Sequence, residues 1–254
     1  MSFIYRGQGE RFGARRAVGF GDDDFCVKEI DRNLANMVVK KNHYSRKFYS
    51  ASYIHLGVFI EGELVGVLQF GYAMNPASQA SVVAGTAMDE YLELNRMWLD
   101  DIAPRNSESR ALSCALKMIR ASYPKIKWVQ SFADERCVLG GIVYQACNFR
   151  YYGEHRSTFW ELDGEVFHNS IMTDSRKAET SKGKKLQGRA GEAVAHVLRQ
   201  FRYLYFMKPR FSKKCLHTEK PYPKIAARPE DELGSPQSEA GATPAGRSNT
   251  MVQA

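Results

Sequence analysis

The pattern of apolar and polar positions divides the chain into short strands and helices. Alternating or β-branched runs predict strands over 25–30, 55–73, 91–100, 126–134, 157–164 and 202–207. Apolar residues at helical spacing predict helices over about 32–41, 107–122, 141–149 and near 189–200. Within 55–73 two strands meet at Glu61-Gly62, which is typical of a hairpin turn, and Asp31 can cap the first helix.

The order of these elements predicts an α/β protein with a mixed β-sheet flanked by helices. We place one domain over 24–225, with a basic insertion at 165–200 and a basic segment at its C-terminal end. Residues 1–23 are rich in Gly and Arg and lack periodicity, so we expect a flexible arm. We expect disorder over 226–254, because so few large apolar side chains cannot offset the entropy of ordering.

Positive charge is concentrated in one part of the 254-residue chain, whose net charge is +8. Residues 1–169 are neutral, whereas 170–224 hold 14 Lys and Arg against 4 Asp and Glu. Such a block is typical of polyanion binding, because basic side chains release the counterions condensed on phosphates. A solvated basic face would have the same composition. The candidate nucleic-acid contacts are Lys184, Lys185, Arg189, Arg210, Lys213 and Lys214.

The chain lacks the sequence features of a membrane or secreted protein. No apolar stretch approaches the ~20 residues that span a bilayer, and the first residues contain no apolar signal core. We therefore expect a cytoplasmic protein. Five scattered cysteines without a Cys-x-x-Cys pair argue against a disulfide framework and a zinc knuckle. The six histidines lack the spacing of metal ligands, so the residues alone leave any metal unknown.

The start of the helix predicted over 107–122 has the features of an anion site. A helix N-terminus offers unpaired N–H groups and a partial positive charge, and Arg105 and Arg110 flank this one. Ser107 and Ser109 can donate hydrogen bonds to a phosphate. They also suit ordinary helix capping, and both interpretations stay open.

Two motifs resemble the GNAT acyltransferase superfamily. Residues 106–111 (NSESRA) are similar to its phosphate loop, Gln/Arg-x-x-Gly-x-Gly/Ala, with Ser109 in place of a Gly. Residues 144–149 (YQACNF) are similar to its Tyr-x-x-x-Gly-Phe motif, and Asn148 replaces the Gly as the next-best residue for a left-handed helix end. The resemblance implies a GNAT-like fold. It also implies acetyl-CoA or another acyl donor, with the binding residues Asn106, Ser107, Ser109, Arg110 and Ala111.

Longer strings resemble the phage Mom family, whose members modify adenine in DNA. They are KKNHYSRK (40–47), LELNRMWLDD (92–101), PRNSESRALS (104–113), FADERCVLGGIVYQACNF (132–149) and FRYLYF (201–206), and the resemblance covers about 24–224. It implies a transferase that adds a carbamoylmethyl group to adenine N6 of double-stranded phage DNA in the host cytoplasm. It further implies protection of that DNA from host restriction enzymes. Finally, it raises iron as a cofactor, held by His43 and a carboxylate such as Asp134.

Tyr144, His43 and Tyr44 are candidate catalytic residues. Tyr144 lies where GNAT enzymes commonly place a tyrosine that protonates the departing CoA thiolate, and a phenol suits this task because the two pKa values are close. The end of the first helix overhangs the acceptor in that fold, so His43 can act as a base or metal ligand and Tyr44 can stack on adenine. The alternatives are a core tyrosine and a histidine favoured by the helix dipole.

Arg96 is a charged residue within the strand predicted over 91–100. A buried arginine is costly unless it meets an anion. We therefore expect Arg96 to contact the donor or substrate, or to pair with Asp100 or Asp101. Strand alternation places Glu93 on the opposite face.

Asp134 ends the strand predicted over 126–134, at the sheet edge where ligands of α/β proteins collect. It can orient the base or hold a metal. Pairing with Arg136 is the structural alternative.

The product implied by the Mom resemblance raises a problem of connectivity. Acyl transfer from acetyl-CoA gives N–C(=O)–CH₃, whereas a carbamoylmethyl group is N–CH₂–C(=O)NH₂. Either the donor is not a simple acetyl thioester, a glycine-derived donor having the right skeleton, or a redox metal takes part. Two other functions also stay open: a conventional GNAT N-acetyltransferase of protein or small-molecule amines, and a non-catalytic DNA-binding protein with a GNAT-shaped core.

Overall fold

The protein is described by a computed structural model over residues 24–136 and 140–223, together with four short strands nearer the N-terminus. The predicted arm, 1–23, lies largely outside the described residues, and the predicted tail, 226–254, lies wholly outside them. Within those limits, no helix has the length and apolar character that a membrane crossing requires.

A single large sheet forms the centre of the described chain. In chain order the strands are β1 (Phe3–Tyr5), β2 (Arg11–Phe12), β3 (Arg15–Arg16), β4 (Gly19–Gly21), β5 (Phe25–Glu29), β6 (Ser52–Ile60), β7 (Glu63–Gly71), β8 (Tyr91–Leu99), β9 (Trp128–Asp134), β10 (Arg150–Leu162), β11 (Glu165–His168) and β12 (Val194–Phe206). Ten of them are ordered β1-β4-β5-β6-β7-β8-β9-β12-β10-β11, and β2 pairs with β3.

The longest helix covers one face of this sheet. The helices are α1 (Arg32–Asn42), α2 (Ser107–Ser122), α3 (Ile142–Ala146), α4 (Asn169–Thr173) and α5 (Ser181–Gly188). Leu112, Ala115 and Ile119 of α2 are buried in one core with Leu92 of β8 and Val129 of β9. Their spacing is the helical one that the sequence predicts for this segment.

Helix α1 lies on the opposite face. Leu68 and Phe70 of β7 belong to the core under α2, whereas Gln69 between them donates through Nε2 to Asn36 Oδ1 of α1 (2.9 Å). Successive strand residues point to opposite faces, so the sheet separates α1 from α2. The predicted fold class, a mixed β-sheet flanked by helices, is confirmed.

Local signals for the first helix and the hairpin are also confirmed. Asp31 Oδ1 accepts hydrogen bonds from the N–H groups of Asn33 (2.7 Å) and Leu34 (3.2 Å) and so caps α1. Glu61 and Gly62 join β6 to β7 with positive φ angles of 51° and 85°. A two-residue turn of this kind matches the twist of the paired strands.

The helix predicted near 189–200 is wrong. Residues 194–206 form strand β12, which pairs with β10 from Val194 to Leu204 and with β9 from Gln200 to Phe206. Most side chains over 194–198 are exposed, so their apolar pattern gives little information about which element forms. The helix of this region is α5, where Thr180 Oγ1 accepts from the N–H of Gly183 (3.0 Å), and the sequence pattern did not predict it.

Strands β8 and β9 run parallel, whereas the other pairs in the sheet are antiparallel. They pair at three positions, the last being Glu93 with Gln130. Beyond it β8 continues to Leu99 and β9 to Asp134 without further pairing between them. The divergence creates an opening in the sheet, bordered by backbone groups that need hydrogen-bond partners.

Candidate active site

A β-bulge at Asn95 shapes the β8 side of this opening. Gln69 of β7 faces Arg96 and Phe70 faces Leu94, so Asn95 is an extra residue in β8. Its amide accepts from Ser52 Oγ (2.9 Å) and donates to the carbonyl of Tyr72 (3.1 Å). Bulges commonly redirect side chains beside active sites.

The bulge overturns the expectation that Glu93 and Arg96 lie on opposite faces. Glu93 is paired with Gly71 and Arg96 with Gln69, and residues 69 and 71 share a face. Glu93 and Arg96 therefore point to the same side, where each affects the other's pKa. The prediction from strand alternation is wrong here because nothing in the sequence marks Asn95 as an inserted residue.

Arg96 connects β8 to the loop that follows α1. Its Nε donates to the carbonyl of Lys47 (2.7 Å) and its Nη1 to the carbonyl of Asn95 (2.6 Å). Its described hydrogen bonds thus go to main-chain oxygens rather than to Asp100 or Asp101. Burial lowers the pKa of Arg96, and the guanidinium supplies positive charge beside the opening.

His43, the residue after α1, is buried at 5% exposure. Burial and the guanidiniums of Arg96 and Arg136 lower the pKa of His43 to about 4. The N–H of Ser45 donates to Nδ1 (3.1 Å), so the proton of the neutral ring sits on Nε2. Burial and the two cations oppose the alternative of a histidine favoured by the helix dipole.

Asp134 anchors Arg136 next to the exposed ring of Tyr44. Arg136 donates to both carboxylate oxygens, at 2.8 Å through Nε and 2.6 Å through Nη2, and Gln200 Nε2 adds a third bond (2.8 Å). Burial raises the pKa of Asp134, but these hydrogen bonds bring it below its ordinary value. Arg136 Cζ lies 5.2 Å from the ring centroid of Tyr44 and 5.5 Å from that of Phe159. The pairing alternative for Asp134 is therefore what the structure shows.

Helix α2 begins after Asn106, whose side chain makes no cap hydrogen bond. Asn106 takes a left-handed conformation (φ 70°), and its carbonyl accepts from Ser109 Oγ (3.0 Å) and from the N–H of Arg110 (3.0 Å). Ser107 is buried at 4% exposure and Ala111 is fully buried. The Ser109 hydroxyl thus donates to a carbonyl three residues earlier and does not cap a helix N–H group, while Arg110 is exposed with its guanidinium 4.2 Å from the centroid of Phe25.

Helix α3 packs directly on this end of α2. Cys147 Sγ donates to the carbonyl of Ser109 (3.2 Å). Tyr144, half-buried in α3, contacts the rings of Phe149 and Tyr203 with centroids 5.5 and 5.3 Å away. Ser109 and Tyr144 therefore belong to adjoining helices, as the GNAT resemblance implies. The helix ends at Ala146, and Asn148 just beyond it has a φ of 61°, the left-handed conformation expected at a helix end.

Three of the expected DNA contacts, Lys184, Lys185 and Arg189, already have carboxylate partners. The closest oxygens lie 2.9 Å from Lys184 Nζ, 3.2 Å from Lys185 Nζ and 2.5 Å from Arg189 Nη2. In the same order, these partners are Glu179, Glu165 and Glu192. A DNA phosphate would have to compete with these carboxylates.

The other three, Arg210, Lys213 and Lys214, lie in an exposed turn over Pro209–Lys214. Arg210 Cζ and Lys214 Nζ flank the buried ring of Phe211, 5.4 and 5.2 Å from its centroid. Among the described side chains, none of the three has an ion-pair partner within 4 Å. Their charges are therefore available to a polyanion.

The residues suggested for iron do not suit a cation. Both oxygens of Asp134 are occupied by Arg136 and Gln200, and two guanidiniums act on His43. No group of three His, Cys, Asp or Glu residues with metal-binding geometry occurs in the described part of the chain. We derive no step through a metal from these residues.

Sequence comparison identifies the family to which these residues belong. Residues 24–224 match the Mom protein family. The chain belongs to the Mom protein family. A relative described as "Methylcarbamoylase mom", from Escherichia phage Mu, is 50% identical over 211 residues, which cover 82% of this chain and 87% of that relative.

Solved acetyltransferases are more distantly similar to this member of the Mom family. The ribosomal-protein-S5-alanine acetyltransferase of Vibrio fischeri is 9% identical, with a TM-score of 0.42 over 74% of this chain and 96% of its own. An N-acetyltransferase of Staphylococcus aureus Mu50 is 11% identical, with a TM-score of 0.44 over 72% and 99%. A ribosomal L7/L12 α-N-protein acetyltransferase in complex with coenzyme A is 12% identical, with a TM-score of 0.41 over 73% and 95%.

Sequence reasoning missed other polar groups around the opening of this Mom-family protein. Glu93 accepts hydrogen bonds from Gln130 and Asn95, and Arg202 of β12 lies close enough to affect its pKa. Glu93 could have been singled out as a second charge within an apolar strand. Arg202 gives no local signal, because its neighbourhood is created by strands distant in sequence.

Proposed function

We propose that the protein is a DNA-modifying transferase that adds a carbamoylmethyl group to adenine N6 in phage DNA. The modification would protect that DNA from restriction enzymes in the host cytoplasm. Membership of the Mom family and the 50% identity to a methylcarbamoylase support this assignment.

The opening between β8 and β9 is the observation that carries the proposal. On the α2 side, the start of α2 adjoins α3, which contains Tyr144. On the α1 side, His43, Tyr44, Arg96 and Arg136 cluster beside the strand ends. A donor bound from one face and a base bound from the other can therefore meet through the sheet.

The start of α2 is the proposed binding site for the anionic end of an acyl-type donor. Its first N–H groups and the exposed side chains of Arg105 and Arg110 supply positive charge, which suits a pyrophosphate such as that of acetyl-CoA. Main-chain groups of β8 and β9 beyond Glu93 and Gln130, where these two strands no longer pair with each other, would bind the amides that such a donor carries along its length. The donor would approach the helix end closely because the side chains there are small, namely those of Ser107, Ser109 and Ala111.

The chemistry requires a bond between adenine N6 and a methylene carbon, with loss of a proton from N6. Acetyl transfer forms a bond to a carbonyl carbon instead, so we propose a donor with a glycine-derived skeleton that carries a leaving group X on its methylene carbon, X–CH₂–C(=O)NH₂. The bond from N6 to the methylene carbon forms as the bond from that carbon to X breaks, X departs with the electron pair, and N6 loses a proton. Tyr144 is the proposed acid that protonates the departing X. His43, neutral and carrying its proton on Nε2, would orient a reactant by donating a hydrogen bond.

Adenine N6 is paired in duplex DNA, so the base must be extruded before it reacts. Tyr44 is 57% exposed and lies against the Arg136 guanidinium, which suits stacking on an extruded base. Arg210, Lys213 and Lys214 would hold the phosphates and offset the cost of unstacking.

Co-expression of the intact chain with plasmid DNA tests the proposal. The DNA is digested to nucleosides and the deoxyadenosines are weighed by mass spectrometry, with Tyr144→Phe as the matched variant. The expected result is an adenosine heavier by a carbamoylmethyl group, strongly reduced in the variant. An unchanged adenosine profile in a host that makes the donor would refute the function.

A further inference from the structure

Four side chains on the α1 face of the sheet form a cluster that contains two opposite charges. Strand pairing places Glu93 beside Gln130 and Phe132 beside Arg202. Because residues 130 and 132 of β9 share a face, all four side chains lie on one side of the sheet. Glu93, Phe132 and Arg202 each keep some solvent exposure, so a ligand can reach them.

Arg202 is incompletely satisfied within the described residues. Its Nη1 lies 2.6 Å from His217 Nε2, and its Cζ lies 5.5 Å from the ring centroid of Phe132. Its buried Nε has no hydrogen-bond partner. A buried donor without a partner costs free energy, which a ligand acceptor would recover.

Glu93 and Gln130 form the side of this cluster opposite Arg202. Gln130 Nε2 donates to Glu93 Oε2 (2.7 Å), while the buried Oε1 of Gln130 has no hydrogen-bond partner in the described chain. Burial raises the pKa of Glu93 even though the hydrogen bonds from Gln130 and Asn95 oppose this effect. Glu93 and Gln130 therefore contribute the acceptor oxygens of this cluster.

The two charges of this cluster lie near each other without a described ion pair between them. Glu93 and Arg202 each alter the other's pKa, so they are near neighbours. The described ion pairs, which extend to 4 Å, nevertheless include none between them. A planar group with a hydrogen-bond donor next to an acceptor would contact both charges at once.

We propose that Glu93 and Arg202 recognise the edge of the extruded adenine while its ring lies against Phe132. Glu93 accepts a hydrogen bond from N6–H, and Arg202 donates to the adjacent ring nitrogen, N1 or N7. Guanine would place its O6 acceptor against the carboxylate and be rejected. This assignment rests on the proposed function and gives it a determinant of base specificity.

The carboxamide of the transferred group has the same donor and acceptor chemistry, so it is the competing occupant. The aromatic surroundings favour the base. The ring of His155 stands edge-on to Phe132 with centroids 5.3 Å apart, and the Arg202 guanidinium covers the same ring. Proteins that bind unstacked bases use aromatic and arginine surfaces of this kind.

Binding of base analogues without any donor tests the assignment. Fluorescence anisotropy compares the full chain on two duplexes whose single test base, adenine or unsubstituted purine, lies opposite an abasic site, which lowers the cost of extrusion. We expect adenine to bind about tenfold more tightly. Equal binding of the adenine and purine duplexes by the wild-type protein would overturn the assignment. This comparison needs no variant, so it does not depend on whether a variant folds.

Variants then identify the residues responsible. Glu93→Gln should reduce the preference for adenine over purine, and Arg202→Gln should weaken the binding of both bases, because purine keeps N1 and N7 but lacks the N6 amine. Glu63→Gln, on an exposed glutamate near the hairpin turn, should alter neither. An undiminished preference in Glu93→Gln, or unchanged affinity for both bases in Arg202→Gln, would overturn the proposal. So would glycinamide binding that both substitutions weaken while base binding stays intact, because it would assign the cluster to the carboxamide.

The outcome is separable from that of the proposed function. Base preference is measured without transfer, whereas adenosine mass reports transfer alone. Modified adenosine together with equal binding of adenine and purine would refute only the role of Glu93 and Arg202.

Discussion

The buried imidazole of His43 should make stability depend on pH in the acid range. The unfolded chain binds a proton at the ordinary histidine pKa of 6.5, whereas burial and two guanidiniums hold the folded pKa at about 4. Between these values unfolding takes up a proton. The free energy of unfolding therefore falls as the pH decreases from about 6.5 to about 4, and the contribution is fully present above that window.

The size of this effect follows from the two pKa values. Their difference corresponds to about 3 kcal/mol once the pH is below both, and to about 2 kcal/mol at pH 5. His43→Gln keeps a polar side chain of similar length but removes the titration. The wild-type protein should therefore lose about 2 kcal/mol more than this variant between pH 7 and pH 5.

Urea unfolding of the full chain at both pH values provides the measurement. Other histidines titrate in both proteins, so the difference between wild type and variant isolates His43. His196→Gln, at an exposed position on β12, serves as control and should keep the wild-type loss. Equal losses in the wild type and in His43→Gln would refute the assignment of a buried neutral imidazole.

Three further variants test separate parts of the structure. Tyr144→Phe should slow adenosine modification at least about tenfold while DNA affinity measured by anisotropy stays the same; an unaltered rate would argue against the acid role. Replacing Arg210, Lys213 and Lys214 with Gln should reduce the slope of log K against log salt by about 2.7, because three phosphate contacts are lost; an unchanged slope would place the DNA elsewhere. Leu112→Ala, at a fully buried position, should lower the free energy of unfolding by about 2–5 kcal/mol in urea titrations, and a loss well under 1 kcal/mol would contradict its place in the core.

Elements with strong local signals could be predicted from the sequence. The spacing of Leu112, Ala115 and Ile119 predicts α2 because only one face of that helix meets the sheet. Asp31 marks the start of α1 through a hydrogen bond to a residue two positions later. The Glu61–Gly62 turn marks the end of β6 through the positive φ angles of its own two residues. Such features depend little on the rest of the chain.

Features made by distant contacts could not be predicted. The sequence pattern predicts a helix in place of the first part of β12. That exposed part is a strand because it pairs with β10, and its own apolar pattern does not determine this. The bulge at Asn95 depends on Ser52 and Tyr72. The bulge places Glu93 and Arg96 on the same face of the sheet, and the pattern of residues in β8 does not indicate it.

The structure brings His43, Tyr44, Arg96 and Asp134 together around one region, and their catalytic roles stay predictions. Their contacts differ from the expected ones: Arg136 occupies the carboxylate of Asp134, and burial together with two cations lowers the pKa of His43. These effects arise from charges on separate strands and loops, which sequence spacing does not encode.

A structure of the full chain bound to duplex DNA with one adenine opposite an abasic site tests the central claim most directly. If the opening between β8 and β9 is where transfer occurs, the adenine will be extruded over Phe132 with N6 directed toward the opening. An adenine that remains stacked, or one bound away from Phe132 and Tyr44, would contradict that claim.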